Sequence, residues 1–361
     1  MSRGVMPFQH ESLPGRVIFG AGSVDQVAGE TERMGLQRLM VIATRSARVG
    51  GDVVADGLGP RLALPFHDVR QHVPDELAAT ARAAAAEAGV DGIVAVGGGS
   101  TIGLAKAVAV TADVPILAVP TTYSGSEMTP IFGTTGVHKR TGRDLRALPQ
   151  VVFYDPSLTV SLPPATTAAS GFNALAHCVE ALYSPGVDPL VALQAEEGMR
   201  ALSGALPAAV AEPGDMGARG WAMYGAYLAG SALAVAGTGL QHKLCHVLGG
   251  TFGLDHAAAH AVLLPYVAAF NAPAAPEALA CVAVSLGGRP DPGVAAGQLH
   301  ELARSTGAPT SLAALGMSPT GIDQAAEMAV AAVGDGNPRP VSTPALRQLL
   351  NAALDGRAPV S

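Results

Sequence analysis

Histidine is concentrated in one short part of this chain. Four of the ten histidines lie there within nineteen residues, namely His242, His246, His256 and His260, and a fifth candidate, His177, lies further upstream. Imidazole binds metals and moves protons near neutral pH. His242 and His246 are four residues apart, as are Asn173 and His177, so each pair faces the same side of a helix. The pattern predicts a site at which these side chains meet in one cavity.

Two polar segments follow predicted strands and have the composition of phosphate-binding turns. The first comprises Gly97, Gly98, Gly99 and Ser100, where glycine permits close backbone approach and Ser100 is predicted to cap the next helix. The second, 120–129, carries several hydroxyl groups. In a doubly wound sheet both would border the crevice at the carboxyl ends of the strands. Together they predict a nucleotide diphosphate site, although neither matches the GxGxxG or P-loop pattern.

The elements that must position these residues change in type along the chain. Short apolar runs at 39–44, 92–99, 114–120 and 151–156 alternate with helical segments such as 76–89, a pattern that predicts a parallel sheet covered on both faces. Helical periodicity then dominates in 165–183, 189–211, 216–236, 240–248 and 256–270. We expect an α/β Rossmann-like dinucleotide-binding domain over 1–162 and an all-helical catalytic domain over 163–361, with the site in the cleft between them.

Composition excludes several classes of function. With 22 basic and 29 acidic residues and a net charge of −7, there is no electrostatic case for nucleic acid or an anionic membrane as partner. The three cysteines have no CxxC spacing, which predicts neither a disulfide framework nor a zinc ribbon and favours a cytoplasmic location. The amino terminus lacks the apolar core of a signal peptide. The uncharged stretch 221–240 is rich in Gly, Ala and Ser, and we expect a helix buried on all sides rather than a membrane span.

The motifs together resemble those of a known family. GGGSTIGLAK, PTTYSGSEMT, YDPSLT, the pattern N-A-x-A-H-x-x-E from Asn173 to Glu180, and the spacing of His242, His246 and His256 are similar to the iron-containing alcohol dehydrogenase family. The resemblance runs from residue 15 through the last helices and implies the dehydroquinate synthase-like architecture. Within the family, SGFNALAHCVEALY, QHKLCHVLGGTFGLDHAAAH, KRTGRD and NPRP most resemble the maleylacetate reductases.

The resemblance implies NADH or NADPH as cofactor. It assigns the pyrophosphate to Gly97–Ser100 and the nicotinamide and its ribose to Thr121, Thr122, Ser124 and Met128. Thr44 stands where the family often has an acidic residue that meets the adenosine ribose. A neutral threonine beside Arg45 predicts that NADPH is accepted as well as NADH.

The resemblance also raises the question of a metal. Metal-dependent members of the family bind iron or zinc through an aspartate and three histidines, and the matching positions here are Asn173, His177, His242 and His256. Asparagine lacks the negative charge that compensates a divalent cation, although three imidazoles alone can hold zinc. We therefore expect a reaction that requires no metal.

The implied reaction is the NAD(P)H-dependent reduction of the carbon–carbon double bond of maleylacetate, or of a related unsaturated keto acid, in the catabolism of aromatic compounds. His246 and His242 are the expected hydrogen-bond and proton donors, with His177, His256 and Asn173 lining the pocket. His260 would support them, and Glu180 would orient a ring. The two carboxylates of the substrate need positively charged partners, and the candidates are Lys243, Arg339 and Arg143. Tyr123 is expected to be a further substrate contact. A family-like homodimer is expected.

Three departures from the family pattern leave the exact substrate open. They are Gln241, Ala258 and Tyr266, which are expected near the pocket. Two other functions compete with the reductase: a metal-dependent alcohol or polyol dehydrogenase on the same fold, and a non-catalytic nucleotide-binding relative. A lyase of the dehydroquinate synthase type would need its metal and more basic residues than this pocket offers.

Overall fold

The computed structural model describes residues 8–13, 15–136, 139–334 and 336–359, which form a parallel sheet, a hairpin and a set of helices. The strands are β1 Arg16–Phe19, β2 Leu39–Ala43, β3 Leu62–Phe66, β4 Gly92–Gly97, β5 Ile116–Pro120, β6 Ile131–Thr135, β7 Lys139–Arg143 and β8 Val151–Tyr154. The helices are α1 Val27–Arg33, α2 Arg48–Leu58, α3 Asp75–Glu87, α4 Gly99–Ala112, α5 Pro164–Tyr183, α6 Pro189–Ala211, α7 Met216–Ala236, α8 Leu240–Phe252, α9 His256–Asn271, α10 Pro276–Ser285, α11 Pro292–Ser305, α12 Ile322–Val333 and α13 Thr343–Asp355.

Six strands form one sheet in the order β1-β8-β5-β4-β2-β3, and each neighbouring pair is parallel. The chain leaves β2 toward β3 on one side and leaves β4 toward β5 on the other. This reversal places a crevice at the carboxyl ends of β2 and β4, where open α/β sheets bind ligands. Because Ala43 is in register with Val96, the residues after them, Thr44 and Gly97, are neighbours at this crevice.

Helices cover both faces of the sheet, as the apolar strands require. Alternate residues such as Met40 and Ile93 pack against α3 and α4. Their neighbours, such as Val41 and Val94, pack with α1 and α2 on the other face. The predicted fold class, a parallel α/β sheet followed by a helical region, is confirmed.

The helical region is built around α5. This helix packs against α6, α7 and α9, and most of its side chains are buried, including those of Asn173, His177 and Glu180. A second core joins α8 and α9 to α12 and α13. The predicted ranges 189–211 and 216–236 match α6 and α7. Among the described residues no helix is both long and apolar enough to cross a membrane.

Some local predictions were wrong. Ser100 does not cap α4, because that helix already begins at Gly99 and its N-cap, Gly98, has no side chain to offer. The helix predicted over 240–248 continues through Gly249 and Gly250 to Phe252, so the break before His256 falls at 253–255. The helix α7 is not buried on all sides, since Trp221 is 52% exposed. The strands β1 and β3 and the β6–β7 hairpin were not predicted from the sequence.

Candidate active site

The five histidines form one continuous cluster. His177 stacks on His242 with ring centroids 4.7 Å apart, and His246 stacks on His256 at 5.4 Å. His260 lies between the two stacks, 4.4 Å from His242 and 4.7 Å from His256. The structure therefore brings together the imidazoles that the sequence analysis singled out.

Three helices bring the rings to this point. His177 comes from α5, His242 and His246 from one face of α8, and His256 and His260 from the first turn and a half of α9. The start of α9 is set by Asp255, whose Oδ1 accepts a hydrogen bond from the Ala258 N–H at 2.8 Å. Such a cap satisfies a free donor of the first helical turn, so that His256 occupies a defined position at the mouth of the cluster.

One histidine has a buried carboxylate partner. Oε2 of Glu180 makes a short hydrogen bond to Nδ1 of His242, and both side chains are buried. The other oxygen, Oε1, accepts the backbone N–H of Gln241 at 2.7 Å. A Cβ on Gly239 would lie 3.0 Å from Glu180 Oε1, so a larger residue at this position would crowd the carboxylate. Glu180 thus orients the ring of His242.

Unpartnered polar atoms are gathered at the same place. Among the described residues, five buried atoms of this cluster have no hydrogen-bond partner: Asn173 Oδ1, His177 Nδ1, Gln241 Oε1, His242 Nε2 and His260 Nε2. Leaving a buried polar group unsatisfied is costly, and such groups gather where water or a ligand completes them. Burial, followed by the neighbouring histidines, holds the pKa of His177 and of His260 well below the usual range. Both rings are therefore neutral at physiological pH.

The cluster lies directly against the loop that follows β5. Asn173 Nδ2 donates to the carbonyl of Ser124 at 3.1 Å. Gly125 adopts φ 74°, and a Cβ there would lie 3.0 Å from Nδ1 of His177 and 3.2 Å from Cα of Gly230. Only glycine therefore lets the loop pass between His177 and α7. Neither Gly125 nor Gly230 was predicted from the sequence as a site residue, because each acts through a contact with a distant segment.

A buried lysine holds this loop in place through hydrogen bonds to its carbonyl groups. Nζ of Lys106 is fully buried and donates to the carbonyls of Ser126, Thr129 and Ile131 at 2.6, 2.7 and 2.9 Å. Burial lowers the pKa of Lys106 to about 7, against the opposite effect of nearby Glu127. Lys106 is therefore not a surface residue. Its role is to fix the carbonyls of the loop.

The crevice fits the dinucleotide implied by the resemblance. Because α4 begins at Gly99 without a side-chain cap, the N–H groups of Gly99 and Ser100 are available to a phosphate, whereas that of Thr101 is bonded to the carbonyl of Gly98 at 3.0 Å. A Cβ on Gly98 would lie 3.0 Å from Oγ1 of Thr122, and one on Gly99 would lie 3.5 Å from Cβ of Ser124. The glycine turn therefore contacts the hydroxyl-rich loop, and that loop in turn contacts the histidines. Thr121 is buried beside them, and Met128 packs near Gly230.

Of the three candidate cations, only Lys243 lies beside the histidines. It is half-buried on α8, one residue from His242 and three from His246, and its ammonium makes no hydrogen bond or ion pair to a described residue. Arg143 is on the β6–β7 hairpin, where its guanidinium donates to the carbonyl of Ala234 at 3.3 Å.

Arg339 is not brought to the cluster. Its Nη1 donates to the carbonyl of Phe270 at 2.9 Å, and its guanidinium lies 4.3 Å from the Phe270 ring centroid. Phe270 is fourteen residues after His256 on the same helix, a separation of about 21 Å. The expectation that Arg339 binds substrate beside the histidines is therefore wrong.

Two aromatic residues also lie away from the pocket predicted for them. Tyr123 is fully buried, and its hydroxyl accepts from Nη1 of Arg219 at 3.3 Å instead of facing a substrate. Tyr266 donates to the carbonyl of Arg357 at 2.8 Å at the far end of α9. The departure at Tyr266 therefore does not alter the histidine site. Gln241 and Ala258 do lie beside it, on α8 and at the start of α9.

The residues at the metal positions do not fit a shared ion in the arrangement described. A metal bonds to imidazole nitrogen in the plane of the ring at about 2.0–2.1 Å. The rings of His177 and His242 are stacked at 14° to each other, so their in-plane lone pairs lie in two nearly parallel planes and do not meet at one ion. Nδ1 of His242 is already bonded to Glu180, and Asn173 offers a neutral oxygen. Among the described residues no group of three or more potential ligands is arranged to hold a metal.

Comparison with known proteins gives consistent matches over both halves of the chain. A family model described as iron-containing alcohol dehydrogenase matches residues 14–156, and one for the C-terminal part of the Fe-containing alcohol dehydrogenase family matches 167–354. The chain is 50% identical over 348 residues to maleylacetate reductase 2 of Cupriavidus pinatubonensis, with 96% of each chain covered. It is 48% identical over 358 residues to maleylacetate reductase of Sphingobium indicum, with 99% of this chain and 100% of that one covered. Its structure is similar to that of maleylacetate reductase from Agrobacterium tumefaciens, with a TM-score of 0.92, 44% identity, and coverage of 98% and 100%.

Proposed function

The chain belongs to the iron-containing alcohol dehydrogenase family, and we propose that it is a maleylacetate reductase. It uses NADH or NADPH to reduce the carbon–carbon double bond of maleylacetate to 3-oxoadipate, a reaction of aromatic-compound catabolism. The observation that carries the proposal is the cluster of five imidazoles against the loop after β5, with Asn173 in place of a carboxylate ligand. The position of that ligand holds a neutral amide, and the carboxylate of Glu180 is already bonded to His242 and to the N–H of Gln241.

The chemistry of the substrate defines what the residues must do. When bound in the crevice, the reduced nicotinamide supplies a hydride. Addition of that hydride to the carbon farther from the ketone leaves negative charge on the ketone oxygen, and the carbon next to the ketone must then gain a proton. The protein has to bind the charged oxygen with hydrogen-bond donors and deliver the proton. In the proposal His242 and His246 have these roles, and Glu180 holds His242 with its Nε2 available to the site.

Lys243 is the proposed anchor for a substrate carboxylate. Its ammonium is half-buried beside His246, and no described side chain neutralises it. A point charge in this position attracts a dianionic substrate and has little effect on the uncharged reacting carbons. K243M should therefore raise the KM for maleylacetate at least about tenfold, the loss expected for one charge-assisted hydrogen bond, with the KM for NADH unchanged. R339M is the matched control and should leave both constants unchanged.

The function is tested by NADH consumption with purified protein. Maleylacetate should be reduced rapidly, whereas simple aldehydes and ketones should be poor substrates and simple alcohols should not reduce NAD. Turnover of an alcohol or aldehyde without turnover of maleylacetate would support the alcohol or polyol dehydrogenase instead. Binding of NADH without turnover of any unsaturated acid would support the non-catalytic relative.

We further propose that the reaction needs no metal, although the family is named for iron. The support is the neutral Asn173, the stacking of His177 on His242 and the bond of His242 to Glu180. Metal analysis of the purified protein, with activity measured before and after chelation, tests this part separately. Stoichiometric iron or zinc together with loss of activity on chelation would overturn it and leave the reductase assignment intact.

We also propose that the protein is a cytoplasmic homodimer that acts on a small-molecule substrate. The cysteines are free thiols, which suits a reducing compartment. Phe19, Trp221 and Tyr224 form an aromatic surface patch, in which Phe19 is 44% and Trp221 is 52% exposed. Exposed aromatic patches of this kind favour association. Sedimentation should show a dimer that dissociates in W221S, and a monomeric wild type would exclude it.

A further inference from the structure

Gln241 and His260 form a buried pair whose hydrogen bonds determine where the proton of the imidazole lies. Both side chains have no exposed surface. Nε2 of Gln241 lies 3.3 Å from the carbonyl oxygen of His260 and 3.2 Å from Nδ1 of the same residue. The amide nitrogen of Gln241 therefore lies within hydrogen-bond distance of two atoms of His260, one in the ring and one in the backbone.

The backbone carbonyl of His260 determines which end of the Gln241 side-chain amide is the NH₂ group and which is the oxygen. A carbonyl oxygen can only accept a hydrogen bond, so the atom that faces it must be the NH₂ group of Gln241. Reversing the amide would put two oxygens against each other. The NH₂ group has two hydrogens, one for the carbonyl and one for Nδ1, so Nδ1 of His260 must be an acceptor. The imidazole proton then resides on Nε2.

We propose that Gln241 fixes His260 as the neutral Nε2–H tautomer and so makes it a permanent, uncharged hydrogen-bond donor within the histidine cluster. Nε2 of His260 is buried and has no acceptor among the described residues. The ring lies 4.4 Å from that of His242, whose own Nε2 is also without a partner. A water or substrate oxygen at this point would receive the Nε2–H hydrogen bond, and the donor cannot be lost because Nδ1 is occupied.

This inference rests on the proposed function only for its consequence, which is the supply of a donor near the oxygen that becomes negative. Gln241 touches neither substrate nor cofactor in this view and acts through His260 as a positioning residue. The Sγ of Cys245 is a weaker acceptor for the same NH₂ group, at 3.7 Å from Nε2 of Gln241.

The direct test is nitrogen NMR of the wild-type enzyme labelled at histidine, because protonated and unprotonated ring nitrogens have well-separated shifts. The His260 signals are assigned by their absence in H260Q. We expect an unprotonated Nδ1 and a protonated Nε2 across neutral pH. An Nδ1–H tautomer or an imidazolium would overturn the inference. This result does not depend on activity with maleylacetate, so it can fail while the proposed function stands, and the reverse.

Variants then connect the tautomer to turnover. In Q241E a carboxylate would face Nδ1 and draw the proton onto it, so the Nδ1 signal should become that of a protonated nitrogen. The same variant should lower kcat by about tenfold, the scale of one lost hydrogen bond, and leave the KM for NADH unchanged. C245A, which alters the other neighbour of the amide, should leave the tautomer unchanged. A changed tautomer in C245A, or an unchanged one in folded Q241E, would contradict the role of Gln241.

Discussion

At the scale of single residues, the histidines are not equivalent. His242 is bonded to a buried carboxylate, His177 is stacked on it, and His246 is at the half-buried edge of the cluster, stacked on His256. An imidazole at the edge can reach a substrate more easily than one in the interior, whereas a ring held by a carboxylate is better oriented. His246 therefore has the better access to a substrate, and His242 has the better defined ring orientation.

Removal of each ring separates these roles. If His246 delivers the proton, H246A should lower kcat by about 10²-fold or more, because general acid catalysis contributes that much. The measurement is kcat with saturating NADH and maleylacetate. An unchanged rate in H246A, with a large loss in H242N, would assign proton delivery to His242 instead.

Asn173 is the residue at which the metal question can be tested by addition. N173D places a carboxylate among three imidazoles and should raise the affinity for zinc or iron, because the negative charge offsets that of the cation. The aspartate also loses the hydrogen bond to the Ser124 carbonyl, so the metal-free variant should be less stable than the wild type. Added zinc should therefore raise the Tm of N173D and have little effect on N173A. Equal responses of the two variants would refute this account of the missing carboxylate.

At the scale of elements, the ends of β2 and β4 define the part of the crevice near the adenosine. Thr44 follows β2, and its hydroxyl is 3.0 Å from that of Ser46, beside the exposed Arg45. T44D would place a negative charge where the 2′-phosphate of NADPH is expected. We predict that kcat/KM for NADPH falls at least about tenfold relative to NADH, a cost of about 1.4 kcal/mol. The control T44S should keep the ratio of the wild type, and an unchanged ratio in T44D would show that the adenosine lies elsewhere.

A second group of contacts joins α7 to α5 and the loop after β5. Arg219 is fully buried, and its Nη1 donates to Oγ1 of Thr167 at 2.8 Å and to the hydroxyl of Tyr123 at 3.3 Å. Because the guanidinium is charged and buried, the loss of the shorter bond in T167V should lower the free energy of unfolding by about 1.5–3 kcal/mol. Y123F, which removes the longer bond, should cost less. Urea unfolding measures both, and a larger loss in Y123F would contradict this ranking.

At the scale of the whole molecule, the buried histidines make stability depend on pH. The pKa of His177 and of His260 is held below the usual 6.5, chiefly by burial, whereas the unfolded chain titrates near that value. Below about pH 6.5 the unfolded state therefore binds more protons than the folded state, and the free energy of unfolding falls as the pH falls. Unfolding measured from about pH 8 to about pH 5 should show this loss begin near pH 6.5, with a shallower slope in H260Q. A stability that is constant or rises toward acid pH would contradict it.

The whole molecule also determines how the two halves meet. Asn173 of α5 contacts Ser124 of the sheet half, and Gln71 reaches Asp255 at 3.4 Å across the gap. All strands lie before residue 155, and from Pro164 the regular elements of the described residues are helical. The division into domains at residues 162 and 163, with the site in the cleft between them, remains a prediction.

The amino-acid sequence by itself determined several of the helices and strands and the chemical character of the site, but not β1, β3 or the β6–β7 hairpin. The ranges of α6 and α7 could be predicted because their signals are local: periodic apolar residues preceded by the capping aspartates Asp188 and Asp215. The spacing of His242 and His246 is also local. The histidine cluster could be proposed for the same reason, since i, i+4 pairs face one side of whatever helix they form.

The tertiary structure decided which polar residues reach that cluster. Arg339 and Tyr266 are at the far end of α9, and Tyr123 points into the core toward Arg219, although their residue types suit a substrate pocket. Lys106 is buried because its partners, the carbonyls of 126–131, fold back over it. Hydrogen bonds and burial depend on groups distant in the sequence, and no local pattern records which distant group will arrive. Local spacing can show that a side chain faces one side of its helix, but only packing shows what is on that side.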